Sequence, residues 1–201
     1  ELRFRPFVLW CYVSPMPPPL RILETERLRL KPLAMSDGPS IQKRFPHWEI
    51  VKLLNGKVPW PYPAHGAEEF LKIKLAEQEA STPNYTWGLW LKSGDPNEVI
   101  GIIELRPNGG TDARGFWLSQ EFWGQGLMTE AADRVLDFAF DEVGMTDIIL
   151  TNAKENVRSG AVKVRQGATP IGEDTIETVS GVKPRQLWRL TAEEWRRRRW
   201  T

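Results

Sequence analysis

The chain has 201 residues, a formal net charge of +1 at neutral pH, one cysteine and two histidines. Its length suits a single domain with one sizeable core, and its near neutrality argues against general binding to nucleic acid or to an anionic membrane. Because Cys11 is the lone cysteine, an internal disulfide is excluded, which is typical of a reducing, cytoplasmic compartment. With only His47 and His65 beside it, we expect no metal cluster.

The N-terminal stretch differs from the rest of the chain. Residues 1–22 contain five prolines and no sustained hydrophobic period, which predicts an extended arm. The apolar run from Phe7 to Val13 is at the lower limit for a signal peptide and much too short to span a membrane. We therefore predict an arm over residues 1–22, followed by one folded domain over residues 23–201.

The domain should begin with a strand and then turn helical. Residues 27–33 alternate leucine and proline with basic side chains, the pattern of a strand with one covered face. A helix capped by Ser36 follows, and a short helical piece covers residues 50–54. A longer helix is expected from about Ala64 to Ala80, so two helical segments flank the loop at residues 58–63.

That loop has the sequence VPWPYP, and its alternating prolines hold the chain extended. Trp60 and Tyr62 are thereby presented as stiff aromatic side chains. They are candidates for contact with a substrate, although aromatic residues that cap a hydrophobic core would show the same pattern.

A period of two begins at Tyr85 and predicts a run of strands. Residues 85–92, 98–106 and 113–119 are separated by turn sequences, which predicts three antiparallel strands. A helix over residues 127–143 and a strand over residues 147–153 come next. This order of strand, helix and strand favours a parallel pair.

After this pair the pattern predicts one more helix. Asn156 can serve as its N-cap, and its expected apolar face consists of Val157, Ala161 and Val164.

The C-terminal part should complete a mixed sheet with strands near residues 169–178 and 185–190. Thr191 begins a capping-box pattern that predicts a last short helix. The basic run from Arg196 to Arg199 fits the solvated end of that helix.

The sequence FWGQGLMTEA places two glycines directly before a strongly amphipathic helix. Gly124 and Gly126 lack a Cβ, so the backbone can turn tightly there and direct successive N–H groups at one point. The first turn of the helix adds its unpaired N–H groups and the positive end of the helix dipole. The pattern predicts a site for a phosphate or pyrophosphate, with a purely structural turn as the alternative. It matches neither a P-loop nor a dinucleotide fingerprint.

WGQGLMTEA, the preceding ARGFWLS and the later NVRSGAVKVRQGA resemble, in this order, the motifs of the GCN5-related N-acetyltransferases (GNAT). Within them the chain is most similar to the RimJ and RimL branch of ribosomal-protein N-terminal acetyltransferases. The resemblance covers residues 23–190. Trp123 and Met128 depart from the usual glycine motif. Lys163 stands where the family often has a thiolate-protonating tyrosine, and Ala168 where it usually has phenylalanine.

The resemblance implies an α/β fold with a mixed, mostly antiparallel central sheet of about seven strands, helices on both faces and a splayed parallel strand pair. It implies acetyl-coenzyme A as co-substrate and no metal. The pyrophosphate would bind at the glycines, and the pantetheine arm would pair with the preceding strand like an added strand. The residues implied in cofactor binding are Phe116, Trp117, Leu118, Ser119, Trp123, Gly124, Gln125, Gly126, Leu127, Met128, Thr129, Asn156 and Ser159.

The implied reaction is direct attack of a primary amine, on a protein N-terminus or a small molecule, on the thioester carbonyl. Glu104 and Asp112 are the candidates for a catalytic base, and each has a plain alternative as a solvent-facing or turn residue. Trp60 and Tyr62 are the candidates for binding the acceptor. The resemblance implies no nucleic-acid or membrane partner, and a homodimer is compatible with it.

A second class of function is open at this point. A non-catalytic acyl-coenzyme A-binding module acting through a protein partner would explain why Lys163 replaces the tyrosine and why no base is evident. Nucleic-acid binding through Arg196 to Arg199 is a weaker reading, because one basic run on a near-neutral chain neutralises few phosphates.

Overall fold

The computed structural model of the protein describes residues 17–80 and 84–199. Cys11, the run from Phe7 to Val13 and most of the predicted N-terminal arm lie outside the described residues. The described part holds eight strands and six α-helices. None of these helices is both long and apolar enough to cross a membrane.

The elements follow one another in this order: strands β1 (Leu23–Glu24) and β2 (Leu28–Pro32), helices α1 (Gly38–Arg44), α2 (Trp48–Val51) and α3 (Gly66–Gln78), strands β3 (Tyr85–Leu91), β4 (Gly101–Leu105) and β5 (Arg114–Leu118), helix α4 (Leu127–Asp137), strand β6 (Asp147–Ala153), helix α5 (Val157–Arg165), strands β7 (Thr169–Thr178) and β8 (Gly181–Thr191), and helix α6 (Ala192–Arg199).

The strands form two antiparallel sheets, ordered β1-β2-β3-β4-β5 and β6-β8-β7. The sheets meet where the N–H of Ala113, directly before β5, donates to the carbonyl of Ile149 in β6 at 2.9 Å. In the described part of the chain no ladder joins β5 to β6, so a fork opens between these two strands. The predicted α/β fold with mostly antiparallel strands is confirmed, with eight strands rather than about seven. Among the described residues the strands lie in two sheets rather than one, and β5 and β6, which were predicted to be a splayed parallel pair, have no ladder between them.

Helices cover both faces of the five-stranded sheet. On one face α4 packs in a core that includes Leu28, Trp87 and Ile103. On the other face α1, α2 and α3 pack in a second core with Ile102 and Trp117. Because both faces are covered, β3 is buried almost throughout and reads as a continuous apolar run.

The last described residues of the predicted arm, residues 17–22, run along the domain. The hydroxyl of Tyr85 donates to the carbonyl of Pro18 at 2.9 Å, and the indole of Trp87 donates to the carbonyl of Arg21 at 2.8 Å. Both aromatic rings are fully buried, so this segment is attached to the main core.

The predicted N-cap of the first helix was wrong. Ser36 lies in a 3-10 turn, Met35–Asp37, and the N-cap of α1 is Asp37, whose carboxylate accepts a bond from the N–H of Ala34 at 2.8 Å. The helix predicted over residues 127–143 is present, as α4 followed without a break by a π-helical segment, Phe138–Glu142, and Gly144 with a φ of 78° follows its end.

The capping box before α6 is confirmed. The N–H of Glu194 donates to the hydroxyl of Thr191 at 3.1 Å, and the N–H of Thr191 donates to the Glu194 carboxylate at 2.9 Å. Further along, Arg196 pairs with Asp141 at 2.9 Å. The basic run is therefore tied in part to the end of the preceding helical layer.

Candidate active site

The turn between β5 and α4 has the shape that its glycines predict. A 3-10 turn, Gln120–Phe122, leads to Trp123, whose indole Nε1 donates back to the carbonyl of Leu118 at 2.7 Å. Gly124 and Gly126 have φ angles of 75° and 77°, a left-handed conformation that L side chains rarely adopt. A Cβ placed on Gly124 would meet nothing within 4 Å, so the turn opens onto empty space.

The backbone after Trp123 presents a row of free donors, which we call the cradle (Gly124–Thr129). Among the described residues, none of its six N–H groups finds a hydrogen-bond acceptor, whereas the N–H of Glu130 already donates to Gly126 at 3.0 Å. The side chains of Leu127 and Met128 are buried in the core, so they hold the backbone of the cradle in place without covering its N–H groups. Free N–H groups at a helix N-terminus, together with the helix dipole, fit a phosphate or pyrophosphate.

A groove of about 510 Å³ lies over the cradle, and its other lining residues include Asp133 of α4 and Arg165 of α5. Because Arg165 is exposed, its cation is available to an anion in this groove. Of the predicted cofactor residues, Gly124, Gln125, Gly126 and Thr129 line the groove directly.

Glu130, in the first turn of α4, is held by Arg27. The backbone N–H and Nε of Arg27 donate to its carboxylate at 2.8 and 2.7 Å, and Nη1 donates to the carbonyl of Gln125 at 2.9 Å. Burial opposes ionisation of Glu130, but hydrogen bonds from Thr25 and Arg27 outweigh it and lower the pKa. The pairing turns this carboxylate toward a cation and limits its repulsion of a bound phosphate.

The fork leads inward from the cradle to Ala113. On its outer edge β5 is paired with β4, and the N–H of Ser119 donates to Ile100 on that side at 2.8 Å. The side chains of Trp117 and Leu118 enter the two cores, whereas Phe116 is only half-buried. At Trp117 and Leu118, then, the backbone rather than the side chain is available to an extended ligand.

Asn156 and Ser159 lie together at the start of α5. The Oδ1 of Asn156 accepts a bond from the N–H of Ser159 at 3.1 Å, so Asn156 is the N-cap, as predicted from the sequence. The guanidinium of Arg158 lies 3.7 Å from the ring centre of Trp123. This stacking holds the first turn of α5 next to the beginning of the cradle.

The apolar face predicted for α5 was wrong. Val157 and Val164 are 72% and 59% exposed, and the helix instead turns Val162, Lys163 and Gln166 inward. Because two of the inward side chains, Lys163 and Gln166, are polar, the hydrophobic periodicity of the sequence does not reveal the buried face of this helix.

These inward side chains belong to a buried polar layer that sequence reasoning missed. Gln166 accepts a bond from Nη2 of Arg114 at 2.7 Å and donates to Asp133 at 2.8 Å. Nε and Nη1 of Arg114 have no partner among the described residues, and neither does Oδ1 of Asp112. The nearby ammonium of Lys163 donates to the hydroxyl of Ser159 at 2.9 Å. The layer thus lies beside the fork and contacts a predicted cofactor residue.

The two candidate bases, Glu104 and Asp112, belong to one chain of ion pairs. Each carboxylate oxygen of Glu104 accepts a bond at 2.6 Å, one from Lys74 and one from Arg106. Arg106 also donates to Oδ2 of Asp112 at 3.0 Å. Burial raises the pKa of Asp112 against the opposing charges of Arg106 and Lys163. Oδ1 of Asp112 is buried without a hydrogen-bond partner among the described residues, whereas both carboxylate oxygens of Glu104 are paired.

Trp60 and Tyr62, the predicted acceptor residues, lie in different surroundings. Trp60 is 41% exposed and packs against Trp48 with ring centres 5.5 Å apart. Tyr62 packs edge-on against Phe45 at 5.0 Å, and burial raises its pKa to about 12. Only Trp60 is presented to solvent in the way that an acceptor contact requires.

A second groove, of about 360 Å³, opens between α2, the start of α5 and the turn joining β7 to β8. Its wall is fixed because the N–H of Ser180 donates to the carbonyl of Lys52 at 3.1 Å. Asn156 and Glu49 line the groove, and Glu49 directly follows Trp48 of the exposed tryptophan pair. This second groove was not predicted, because its walls are far apart in sequence.

Comparison with known proteins gives a family for this arrangement. A family model described as an acetyltransferase (GNAT) domain matches residues 27–169. The FsC-acetyl coenzyme A-N(2)-transacetylase of Aspergillus fumigatus is 25% identical over an alignment of 189 positions that covers 87% of this chain and 78% of that protein.

Solved structures share the fold at low identity. The ribosomal-protein-S5-alanine acetyltransferase of Vibrio fischeri has a TM-score of 0.71 at 16% identity, over 87% of this chain and 98% of that chain. RimL, a ribosomal L7/L12 alpha-N-protein acetyltransferase in complex with coenzyme A, has a TM-score of 0.70 at 15% identity, over 87% and 99% of the two chains.

Proposed function

Because the chain belongs to the GNAT family of acetyl-coenzyme A-dependent N-acetyltransferases, we propose that it acetylates a primary amine on a protein N-terminus or a small molecule. The observation that carries the proposal is the row of six unpaired N–H groups in the cradle, which fits the pyrophosphate of acetyl-coenzyme A. The remaining predicted contacts are the backbone of β5, which is paired with β4 on one edge, and Asn156 and Ser159 at the start of α5. Acetyl-coenzyme A supplies an activated thioester, and the chain supplies the site that orients it.

An α-amine is the favoured acceptor on chemical grounds. Its pKa of about 7.7 to 8.0 leaves an appreciable neutral fraction near pH 7, whereas a lysine-type amine near 10.4 costs roughly 4.6 kcal/mol to deprotonate. A relative whose name specifies a ribosomal alpha-N-protein acetyltransferase supports an N-terminal acceptor. The name FsC-acetyl coenzyme A-N(2)-transacetylase specifies transfer to a nitrogen but no protein N-terminus, so small amines also belong in the assay.

The test has two steps. Calorimetry should show saturable binding of acetyl-coenzyme A, and thiol release should then appear with at least one member of a panel of N-terminal peptides and small amines. Absence of binding at millimolar ligand would refute the proposal. Tight binding with no thiol release across the whole panel would instead support the non-catalytic binding module.

The acceptor is proposed to enter the second groove past Trp60. Replacing Trp60 with alanine should raise the acceptor KM about 3- to 10-fold, because an exposed aromatic contact contributes about 0.5 to 1.5 kcal/mol. The affinity for acetyl-coenzyme A should stay within about 2-fold, since the cradle lies on other elements. Steady-state kinetics and calorimetry measure the two quantities, and Ile73→Ala, which truncates an exposed apolar side chain on α3, is the control. A parallel loss of cofactor affinity would count against this placement.

Of the two proposed bases, the surroundings favour Asp112. We expect Asp112→Asn to lower kcat/KM for the amine about 100-fold, in the range of general base catalysis. Glu104→Gln should instead lower the free energy of unfolding by about 1 to 2 kcal/mol, because Lys74 and Arg106 lose their shared carboxylate but keep Glu77 and Asp112 as partners. Its kcat per folded molecule should change less than about 3-fold, and thiol-release kinetics with urea unfolding separates the two effects. A large loss of kcat in Glu104→Gln alone would reverse the assignment.

A further inference from the structure

The charged side chains that line the second groove are unevenly paired. Oε2 of Glu49 lies 2.7 Å from Nζ of Lys52, and Oε1 of Glu155 lies 3.0 Å from Nζ of Lys183, so each carboxylate has a lysine of its own. Arg158 also lines the groove, but among the described residues it has neither a carboxylate partner nor a hydrogen-bond acceptor. Three cations therefore face two carboxylates, and the uncompensated positive charge is a guanidinium.

Arg158 is held in position without using its N–H groups. Its guanidinium lies 3.7 Å from the ring centre of Trp123, and the indole of Trp123 is fixed by its bond to the carbonyl of Leu118 at 2.7 Å. Stacking on an aromatic ring orients the guanidinium plane and leaves the N–H groups at its edge available. A planar guanidinium matches a carboxylate and can bind it through two parallel hydrogen bonds. Because Arg158 is exposed, a ligand from solvent can reach it.

The groove around Arg158 has a fixed wall and an apolar surface for the rest of a ligand. The turn joining β7 to β8 is bonded to the chain after α2, since the N–H of Val179 donates to the carbonyl of Leu54 at 3.1 Å. Val157, which is 72% exposed, lines the groove beside Arg158. Trp123 directly precedes the cradle, so an anion on Arg158 keeps its molecule next to the turn that is proposed to bind the cofactor.

We propose that the acceptor carries a carboxylate near its reactive amine and that Arg158 binds this carboxylate in the second groove. The inference rests on the proposed function and gives the acceptor a chemical class. The carboxylate can come from an acidic side chain near a protein N-terminus or from the free carboxyl group of a small peptide. Arg158 is then a specificity-determining residue, so its removal should change the choice between acceptors more than the transfer of acetyl itself.

Matched acceptors isolate the carboxylate from the rest of the molecule. Peptides that begin Ser-Glu and Ser-Gln, both amidated at the C-terminus, test the side-chain source, and Ser-Ala with a free or an amidated C-terminus tests the other. In at least one pair, wild-type kcat/KM should be about 5- to 30-fold higher for the acidic member, the range of hydrogen bonds to a charged group. Because the charges are exposed, this preference should decrease at high ionic strength.

Two substitutions and a control assign the preference to Arg158. Arg158→Gln should lower the ratio within each pair to about 2 or less, because the carboxylate loses its ionic partner. Arg158→Lys keeps the charge but not the paired N–H groups, so it should retain part of the preference. At saturating cofactor, a ratio within one variant cancels changes in the folded fraction. Lys154→Met removes an exposed lysine that pairs with Glu173 outside the groove, and it should keep the wild-type ratio.

The outcomes separate this inference from the proposed function. An active wild type that does not prefer the acidic member of either pair overturns the inference alone, and so does a preference that survives in Arg158→Gln. A loss of acetyl-coenzyme A affinity of about 10-fold in Arg158→Gln, with unchanged acceptor ratios, would assign Arg158 to the cofactor instead. Wild-type protein that transfers acetyl to no amine would overturn the proposed function and this inference with it.

Discussion

Replacing Gly126 with valine should weaken the binding of acetyl-coenzyme A about 100-fold. Gly126 has a φ of 77°, and a β-branched residue there is strained, so the turn must move to relieve it. Such a movement of the turn would direct the N–H groups of the cradle away from the bound phosphate. Each hydrogen bond to a charged group contributes about 1.5 to 3 kcal/mol, so losing one or two of them accounts for a change of this size. Calorimetric titration with acetyl-coenzyme A measures it.

Gly144 offers a matched control for that strain. Its φ is 78°, and a Cβ there meets nothing within 4 Å, whereas one on Gly126 meets only Nη2 of Arg27, at 3.6 Å. Gly144 lies beyond the π-helical segment at the far end of α4. Gly144→Val should cost a similar free energy of unfolding and leave cofactor affinity within about 2-fold. Equal losses of affinity in the two variants would mean that strain anywhere near α4 disturbs the site, and the cradle would lose its special role.

Replacing Lys163 with methionine should stabilise the fold, and the gain should depend on pH. The folded-state pKa of Lys163 is lowered from 10.5 to about 7 by burial first and by Arg114 second. Below pH 7 the lysine is protonated in both states, and the folded state bears the full cost of a buried charge. Between pH 7 and 10.5 the unfolded state holds more protons, so the cost declines as pH rises and vanishes above 10.5.

The expected size of this effect is large for one residue. At 1.36 kcal/mol for each pH unit, the shift in the pKa of Lys163 corresponds to at most about 5 kcal/mol. Relaxation of the buried polar layer around the charge reduces this cost. We therefore expect Lys163→Met to be about 2 to 4 kcal/mol more stable than the wild type at pH 6. Urea unfolding of both proteins at pH 6, 8 and 9.5 gives the difference, in which the titrating groups that do not interact with Lys163 cancel. Lys154→Met should show a flat difference. A less stable Lys163→Met variant at pH 6 would contradict the argument.

How well a feature of this protein can be predicted from its sequence depends on how far apart its residues lie along the chain. The cradle is encoded by neighbours in the chain, so the glycines and the amphipathic start of α4 were sufficient to predict it. The N-cap at Asn156 and the capping box at Thr191 are equally local and were confirmed. By contrast, Lys74 meets Glu104 from a different helix, and no spacing rule connects them.

The buried polar layer shows most clearly which features could not be predicted from the sequence. Arg114, Asp133 and Gln166 come from three separate elements, and their hydrogen bonds exist only after α4 and α5 pack against the sheet. Because Lys163 and Gln166 are polar but buried, the hydrophobic pattern of α5 wrongly assigned the exposed Val157 and Val164 to its core-facing side. Trp60 and Tyr62 were predicted to act together, yet the structure places one at the surface and the other against Phe45.

The fork also bears on how the protein avoids association with other chains. An unpaired strand edge exposes backbone donors and acceptors that can recruit a strand from another molecule, which is a common route to aggregation. Here the unpaired edges of β5 and β6 face each other inside the domain, and Ala113 and Ile149 close the gap at one end. Strand-to-strand pairing needs about 4.8 Å on each side of an incoming chain, so the fork restricts what can enter to one thin, extended molecule. The same opening that would accommodate an extended ligand thus keeps the unpaired edges of β5 and β6 from pairing with strands of other molecules.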